Sequence, residues 1–466
     1  MRRLLINDLK SIRCSRTRLS QIATRRLFSE IVLKPTKDSI SRWNHVIQNN
    51  RLRQLPHKVT IWSYKDIDID MYRYNPDEEY DEFNSNAEGD ADIDSYQEHK
   101  ERRKQVFFDA VKALDRLPRT DSVILHSTTL AMGIESANKI WTQPPPEDLG
   151  YRISMLETLF TGILSHNDTK GNSTIRSLTL KNLQNLPIPD FTSSDLFTAV
   201  TSKLDELHIQ MTVEVNEHGP DHDLDKEERR TFLPHLVERW LKPMASNLKR
   251  LSLYSVNDNW GSFPGKFETS SLLFPQLEEL SLGYYTIDQD DQLDWILSCK
   301  SLKRLNFHNV MVLSHISISN HNVQTWSVNT NNWRPIPDPE NPDGTDYGFN
   351  CFRYETKWAY FLDRIADELP NLTEFSFDFR HTEENDTFDI ERRNDLGLHL
   401  GSKRYVAFWD GILPNPWPEA DQDNVRDGSI EWCGVDVNPH QETIIEDSKS
   451  FDRLCRILRE RREKSR

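Results

Sequence analysis

A leucine pattern of the form LxxLxL returns along the middle of the chain. Its copies are Ile175-Arg176-Ser177-Leu178-Thr179-Leu180, Leu204-Asp205-Glu206-Leu207-His208-Ile209, Leu248-Lys249-Arg250-Leu251-Ser252-Leu253, Leu277-Glu278-Glu279-Leu280-Ser281-Leu282, Leu302-Lys303-Arg304-Leu305-Asn306-Phe307 and Leu372-Thr373-Glu374-Phe375-Ser376-Phe377. Val323-Gln324-Thr325-Trp326-Ser327-Val328 reads as a weaker copy. Apolar residues alternating at the end of each copy predict a strand with one buried face. The intervening segments follow a helical period. Phe232, Leu233, Leu236, Val237, Trp240 and Leu241 share one helix face, as do Trp358, Phe361, Leu362, Ile365 and Leu369. Leu196, Phe197 and Val200 form a shorter face behind Ser193 or Ser194 as N-cap, and Val106, Phe107, Ala110, Val111, Leu114 and Leu117 form another. Val123-Ile124-Leu125 and Val59-Thr60-Ile61 predict earlier strands.

A lone strand and helix cannot bury both of their apolar faces, whereas stacked repeats can. The expected fold is therefore α/β: an irregular leucine-rich-repeat-like solenoid, with parallel strands on a concave face and helices outside. Arg176, Glu206, Lys249, Glu278, Lys303 and Glu374 lie between the leucines and are the candidate partner contacts of that face. First residues of successive copies are 29, 44, 29, 25, 21 and 49 apart, so four intervals match the 20 to 29 residues of such repeats and two require insertions. An ordinary α/β sheet with leucine-rich buried strands is the rival fold. The Asn or Cys usual after LxxLxLxx is replaced by Leu183, Thr212, Val256, Tyr285, Val310 and Arg380, with Asn331 the exception, which predicts irregular curvature.

The N-terminal stretch carries Leu9, Ile12, Leu19, Ile22, Leu27 and Ile31, spaced for two short helices. Its Asp8-Leu9 pair and its Leu19-Ser20-Gln21-Ile22-Ala23-Thr24-Arg25-Arg26-Leu27-Phe28-Ser29-Glu30-Ile31 segment resemble the second half of an F-box. Trp43-Asn44, Asn49 to Arg53, Asp291 to Leu297 and Tyr405 to Trp417 are similar to a group of fungal F-box proteins with degenerate leucine-rich repeats. The resemblance implies that the chain is the substrate receptor of a cullin ubiquitin ligase, with Leu9, Ile12, Leu19, Ile22 and Leu27 as contacts to a Skp-type adaptor. An F-box normally opens with a Leu-Pro-x-Glu helix. Only Leu4, Leu5 and Ile6 stand ahead of Asp8, so weak adaptor binding is expected. A helical solenoid cap and an Arg-rich transit peptide are the other readings of this stretch. The implied organisation is a partial F-box at 1–35, a solenoid at 36–380 with an acidic insertion at 66–101, and a capping segment at 381–466 closed by a basic helix around Phe451, Leu454, Cys455 and Leu458.

Charge sharpens this division. The chain carries a net −16 over 466 residues, and Asp66 to Glu101 holds 14 acids against 2 bases. That insertion reads as a solvated loop, since Ser95 stands where a calcium loop beginning at Asp90 needs glycine. Both ends are basic, with 8 bases and 2 acids in residues 1 to 30, yet no aromatic residues interleave with the arginines, which argues against nucleic acid. Apolar residues make up 36%, but 21 Phe, 12 Trp and 13 Tyr provide for a core. No membrane-spanning run occurs, and five scattered cysteines point to a reducing compartment, cytoplasmic or nuclear.

No GxSxG, HExxH, P-loop or GxGxxG motif is present, so no enzymatic activity and no cofactor are expected. His218-Gly219-Pro220-Asp221-His222 breaks the helical spacing of a zinc site and reads as a polar loop. His308, His315 and His321 read as loop or concave-surface residues, and Asp288, Asp290 and Asp291 as first-turn carboxylates of a helix. The function expected is protein recognition, either as the ubiquitin-ligase receptor or as a stand-alone repeat scaffold.

Overall fold

A computed structural model describes residues 17–64, 93–129, 131, 147–213, 224, 226–256, 259–336, 349–379, 388, 396–410 and 440–464. The chain is α/β. A nine-stranded parallel sheet contains β1 (Glu30–Leu33), β2 (Lys58–Trp62), β3 (Ser122–His126), β4 (Ser177–Gln184), β5 (Glu206–Thr212), β6 (Arg250–Ser255), β7 (Glu279–Gly283), β9 (Arg304–His308) and β13 (Glu374–Asp378), in that order across the sheet. Each strand thus lies beside the sheet strand that precedes it in sequence. The chain divides into two compact units, residues 1–183 with 188–207, and residues 184–187 with 208–466.

In the first unit, alternate apolar residues of neighbouring strands align as Val59, Val123 and Leu178, and as Leu33, Ile61, Leu125 and Leu180. All seven are buried. Helices α1 (Thr17–Leu27), α2 (Lys37–Gln48), α3 (Ile93–Lys112), α4 (Leu149–Asp168) and α5 (Asp195–Thr201) alternate with these strands. The α5 N-cap is Ser194, whose hydroxyl accepts from Phe197 N at 3.1 Å, satisfying one of the free amides at the helix start. Helix α3 starts at Ile93, so the end of the acidic region is helical rather than loop. Val106 is 48% exposed and leaves the apolar face on which it was expected, while Phe107, Ala110, Val111 and Leu114 keep it. Helix α4 has no counterpart in the sequence reading. Asp148 caps it through Tyr151 N at 2.7 Å, and Arg152, Met155, Leu156, Leu159, Phe160, Ile163 and His166 are buried on one broad side, opposite exposed Glu157, Thr161 and Ser165. A Cβ on Gly162 would stand 2.8 Å from Val111 O, so this glycine permits the close approach of α4 to α3.

In the second unit the leucine pattern aligns strand to strand: Leu251, Leu280, Leu305 and Phe375 form one row, and Leu253, Leu282, Phe307 and Phe377 the next. Helix α6 (Glu227–His235) contains Pro234 and continues as a π turn over Leu236–Leu241, since proline withdraws an amide from the regular ladder. Helix α7 (Asp294–Leu297) and β8 (Thr286–Ile287) follow β7. Helix α9 (Trp358–Glu368) lies on the leucine side, with Trp358 ring centroids 6.2 Å from Phe307 and 4.7 Å from Phe377.

A second sheet in this unit runs β11 (Trp333–Pro335), β12 (Phe349–Tyr354), β10 (Met311–Ser319) and β14 (Tyr405–Trp409), with β8 also on β10. The residues Val323 to Val328, expected as a weak strand copy, are instead the end of helix α8 (Asn320–Thr325) and the turn after it. Ser319 caps that helix by accepting from Asn322 N at 3.1 Å, and a local cap outweighs a loose apolar spacing. The closing helix α10 (His440–Lys464) is docked by the fully buried pair of Arg404 Nε and Asp447 Oδ2 at 2.8 Å, with Thr443 and Tyr405 completing the cluster.

Candidate recognition surface

Seen from the strands upward, the side opposite the leucine rows changes character along each strand of the second unit. At the strand starts stand Arg250, Glu279, Arg304 and Glu374, half to fully exposed. Arg304 bridges its neighbours, donating from Nε to Glu374 Oε2 at 2.7 Å and approaching Glu279 Oε2 at 3.5 Å. The Glu374 hydrogen bond, with Glu279 adding to it, pushes the Arg304 guanidinium above its ordinary value. Two residues on, Ser252, Ser281 and Asn306 are buried. Their polar groups are met within the sheet: Asn306 Nδ2 donates to Ser281 Oγ at 3.0 Å, and Ser252 Oγ lies 2.9 Å from His208 Nδ1. At the strand ends Tyr254, Gly283, His308 and Asp378 are buried as well.

The six candidate contacts occupy two rows. Arg176, Lys249, Glu278 and Lys303 precede their strands, and Glu206 and Glu374 open theirs. Backbone bonds stack the first row: Glu278 N donates to Lys249 O and Lys303 N to Glu278 O, each at 2.8 Å. Glu206 is half-buried and the other five are exposed. Lys303 Nζ pairs with Glu278 Oε2 at 3.0 Å, giving a strip of alternating charge. Of the adaptor candidates, Leu9 and Ile12 lie outside the described residues. Leu19, Ile22 and Leu27 are on α1, with Ile22 65% exposed and Leu27 half-buried at the helix end.

Several residues take other places than expected. His308 and His315 are buried strand residues on β9 and β10, and His321 is exposed on α8. The pair His218 and His222 lies outside the described residues. Asp288 and Asp290 do not serve the helix dipole. Asp288 is buried, accepts from Ser262 Oγ at 2.7 Å, and is pushed up to about 6 by burial. Asp290 accepts from Tyr354 Oη at 2.7 Å and Thr356 Oγ1 at 2.5 Å, while Asp294 supplies the first-turn carboxylate of α7.

One residue ahead of Leu183, Tyr285 and Val310, the backbone turns left-handed. Asn182, Tyr284 and Asn309 stand two residues past the last apolar position of their copies, at φ of 60°, 61° and 50°. Asn182 Nδ2 donates to Ser127 O at 2.7 Å, tying the end of β4 to the chain after β3. Asparagine tolerates this left-handed region, so Asn182 and Asn309 were the available signal.

A buried charged cluster in the first unit also escaped the sequence reading. Glu147 Oε2 accepts from Thr128 N at 2.9 Å and lies 3.2 Å from Arg152 Nη2, and Ser63 Oγ donates to Glu147 Oε1. Arg152 further donates to Thr128 O and Asn182 O. Burial draws the Arg152 guanidinium below its ordinary value, against the pull of Glu147. Each group faces a protein partner, so the cluster ties the ends of β2, β3 and β4 to α4.

No protein-family model and no curated protein matches the chain. Among the described residues no group of three or more His, Cys, Asp or Glu side chains is placed to hold a metal ion, and no helix is long and apolar enough to cross a membrane.

Proposed function

We propose that the chain is a protein-recognition module, an irregular leucine-rich-repeat-like solenoid that serves as the F-box-like substrate receptor of a cullin ubiquitin ligase. One observation carries the solenoid reading: consecutive strands align the same pattern positions in sequence order, Leu251, Leu280, Leu305 and Phe375 among them. Doubly wound sheets reverse their strand order at a switch point, whereas stacked repeats add each strand beside the last. Leu248, Leu277, Leu302 and Leu372, buried at the bend before each strand, support the same repeat unit. The charged strip of Lys249, Glu278 and Lys303 is the exposed part of the proposed target surface.

The receptor role rests on the F-box resemblance and on α1, which turns Ala23 and Thr24 inward and leaves Ile22 exposed. Capture of a purified Skp-type adaptor tests it. The chain should bind weakly, a Leu-Pro-x-Glu helix fused ahead of Met1 should strengthen capture, and Ile22→Glu should abolish it without altering thermal stability. No capture by any form would refute the receptor role and leave a stand-alone scaffold.

A further inference from the structure

In the second unit, the strand face assigned above to target recognition is already occupied at its C-terminal end. The Tyr254 ring lies across β7 at Gly283, where a Cβ would stand 2.1 Å from the ring, so the glycine is what admits it. The His308 ring follows, 6.2 Å from Tyr254 and 5.8 Å from Tyr284. Phe388, only 2% exposed, closes this group from outside the sheet, edge-on to Tyr254 with centroids 5.4 Å apart.

A second attachment lies at the edge of the sheet. Phe377 N donates to Gly397 O at 3.0 Å, His399 N donates to Phe377 O at 2.8 Å, and Leu398 bridges Phe377 in parallel. Asp378 Oδ2 accepts from Gly397 N at 2.6 Å. The neighbouring polar row is satisfied by partners within the sheet, as the His208–Ser252 and Ser281–Asn306 contacts show. Two described pieces of the chain beyond β13 therefore lie against this face and its edge, Phe388 as a seated aromatic ring and 396–399 as an edge ladder. Extended peptides are recognised by the same two devices, main-chain bonds to a sheet edge and a pocket for a side chain.

We propose that this seat is an exchangeable peptide site. Phe388 with the 396–399 stretch is an internal pseudo-ligand, and the segment recognised in a target is an extended chain whose aromatic side chain takes the place of Phe388 on Tyr254. The inference rests on the reading of the strand face as the recognition surface. A covalently attached ligand acts at an effective concentration near millimolar, so the wild-type chain is self-occupied and a target must displace its own segment.

The test uses the full chain and a fluorescent synthetic peptide of residues 384–400, followed by anisotropy. Phe388→Ala should bind the peptide at least tenfold more tightly than wild type. A peptide with alanine at the Phe388 position should not bind, and Tyr254→Ala in the Phe388→Ala chain should remove binding. Phe388→Leu, which keeps apolar volume without the ring, should also gain affinity. Equal affinity of wild type and both variants, or indifference to the peptide's aromatic residue, overturns the proposal. Native-state hydrogen exchange on the wild type is independent of folding in the variants: the amides of Phe377 and His399 should open at least a hundredfold more readily than those of β7 and β9. Equal protection would mean that the cover opens only with the whole fold, which also overturns it. Peptide seating without adaptor capture, or capture without seating, tells failure of this inference from failure of the receptor role.

Discussion

Replacing Leu280 by alanine probes the strand register on which the recognition reading depends. Leu280 is fully buried in β7 and lies in register between Leu251 on β6 and Leu305 on β9. Buried Leu→Ala replacements lose about 2 to 5 kcal/mol, partly from transfer of the deleted carbons and partly from the cavity left behind. Strands on both sides hold the backbone in place, so the site collapses poorly and the upper half of the range, about 3 to 5 kcal/mol, is expected. Glu278→Ala is the matched control two residues earlier. Its side chain is exposed and its pairing with Lys303 spans 3.0 Å between solvated groups. Such pairs contribute about 0 to 1 kcal/mol, so the loss should stay near 0.5 kcal/mol or below. Urea titration followed by tryptophan fluorescence, with midpoints compared at constant slope, measures both. A harmless Leu280→Ala would mean that Leu280 does not fill the buried row between Leu251 and Leu305, and would refute the register.

Gly283→Ala should destabilise the second unit by about 1 to 3 kcal/mol and weaken the near-ultraviolet dichroism of Tyr254, because the new methyl meets its ring at 2.1 Å. Asp447→Ala leaves Arg404 charged and fully buried, so a loss of about 3 to 5 kcal/mol is expected in thermal melting, partly recovered by Arg404→Met with Asp447→Leu. Burial raises the Asp288 carboxyl from 3.8 to about 6, so between those values the folded chain holds a proton that the unfolded chain has released. That contribution is favourable at low pH and is lost as pH rises through the window. Asp288→Asn, neutral throughout, should match wild type near pH 4 and be more stable at pH 8 by an amount on the order of 3 kcal/mol, read from urea midpoints at the two pH values.

Elements with one apolar face were legible in the sequence. Trp358, Phe361, Leu362 and Ile365 marked α9, and the leucine copies marked β4 to β7, β9 and β13, because burial on a single side leaves a clean period. Helix α4 was not legible for the converse reason. Burial covers more than half of its circumference, leaving the stripe of Glu157, Thr161 and Ser165 exposed, and the buried side mixes Arg152, Thr158 and His166 with apolar residues, which blurs the period. The Val323 to Val328 copy failed because one apolar spacing fits both a short strand and a capped helix turn, and the Ser319 cap decided for the helix.

What the sequence by itself determined is the α/β alternation, the leucine side of the strands and the exposure of Lys249, Glu278 and Lys303, since each follows from local periodicity and from charge that stays solvated. What only the tertiary structure decided is the fate of the opposite face. Ser252, Ser281 and Asn306 are the polar residues between the last two apolar positions of their copies, and they are buried and bonded to one another or to His208. Small polar side chains are compatible with water or with a satisfied interior, and the choice depends on partners far away in sequence. Phe388 is such a partner for Tyr254, 134 positions further along the chain. Local pattern carries no term for a contact of that separation, so the covering of this strand face is a property of the folded chain.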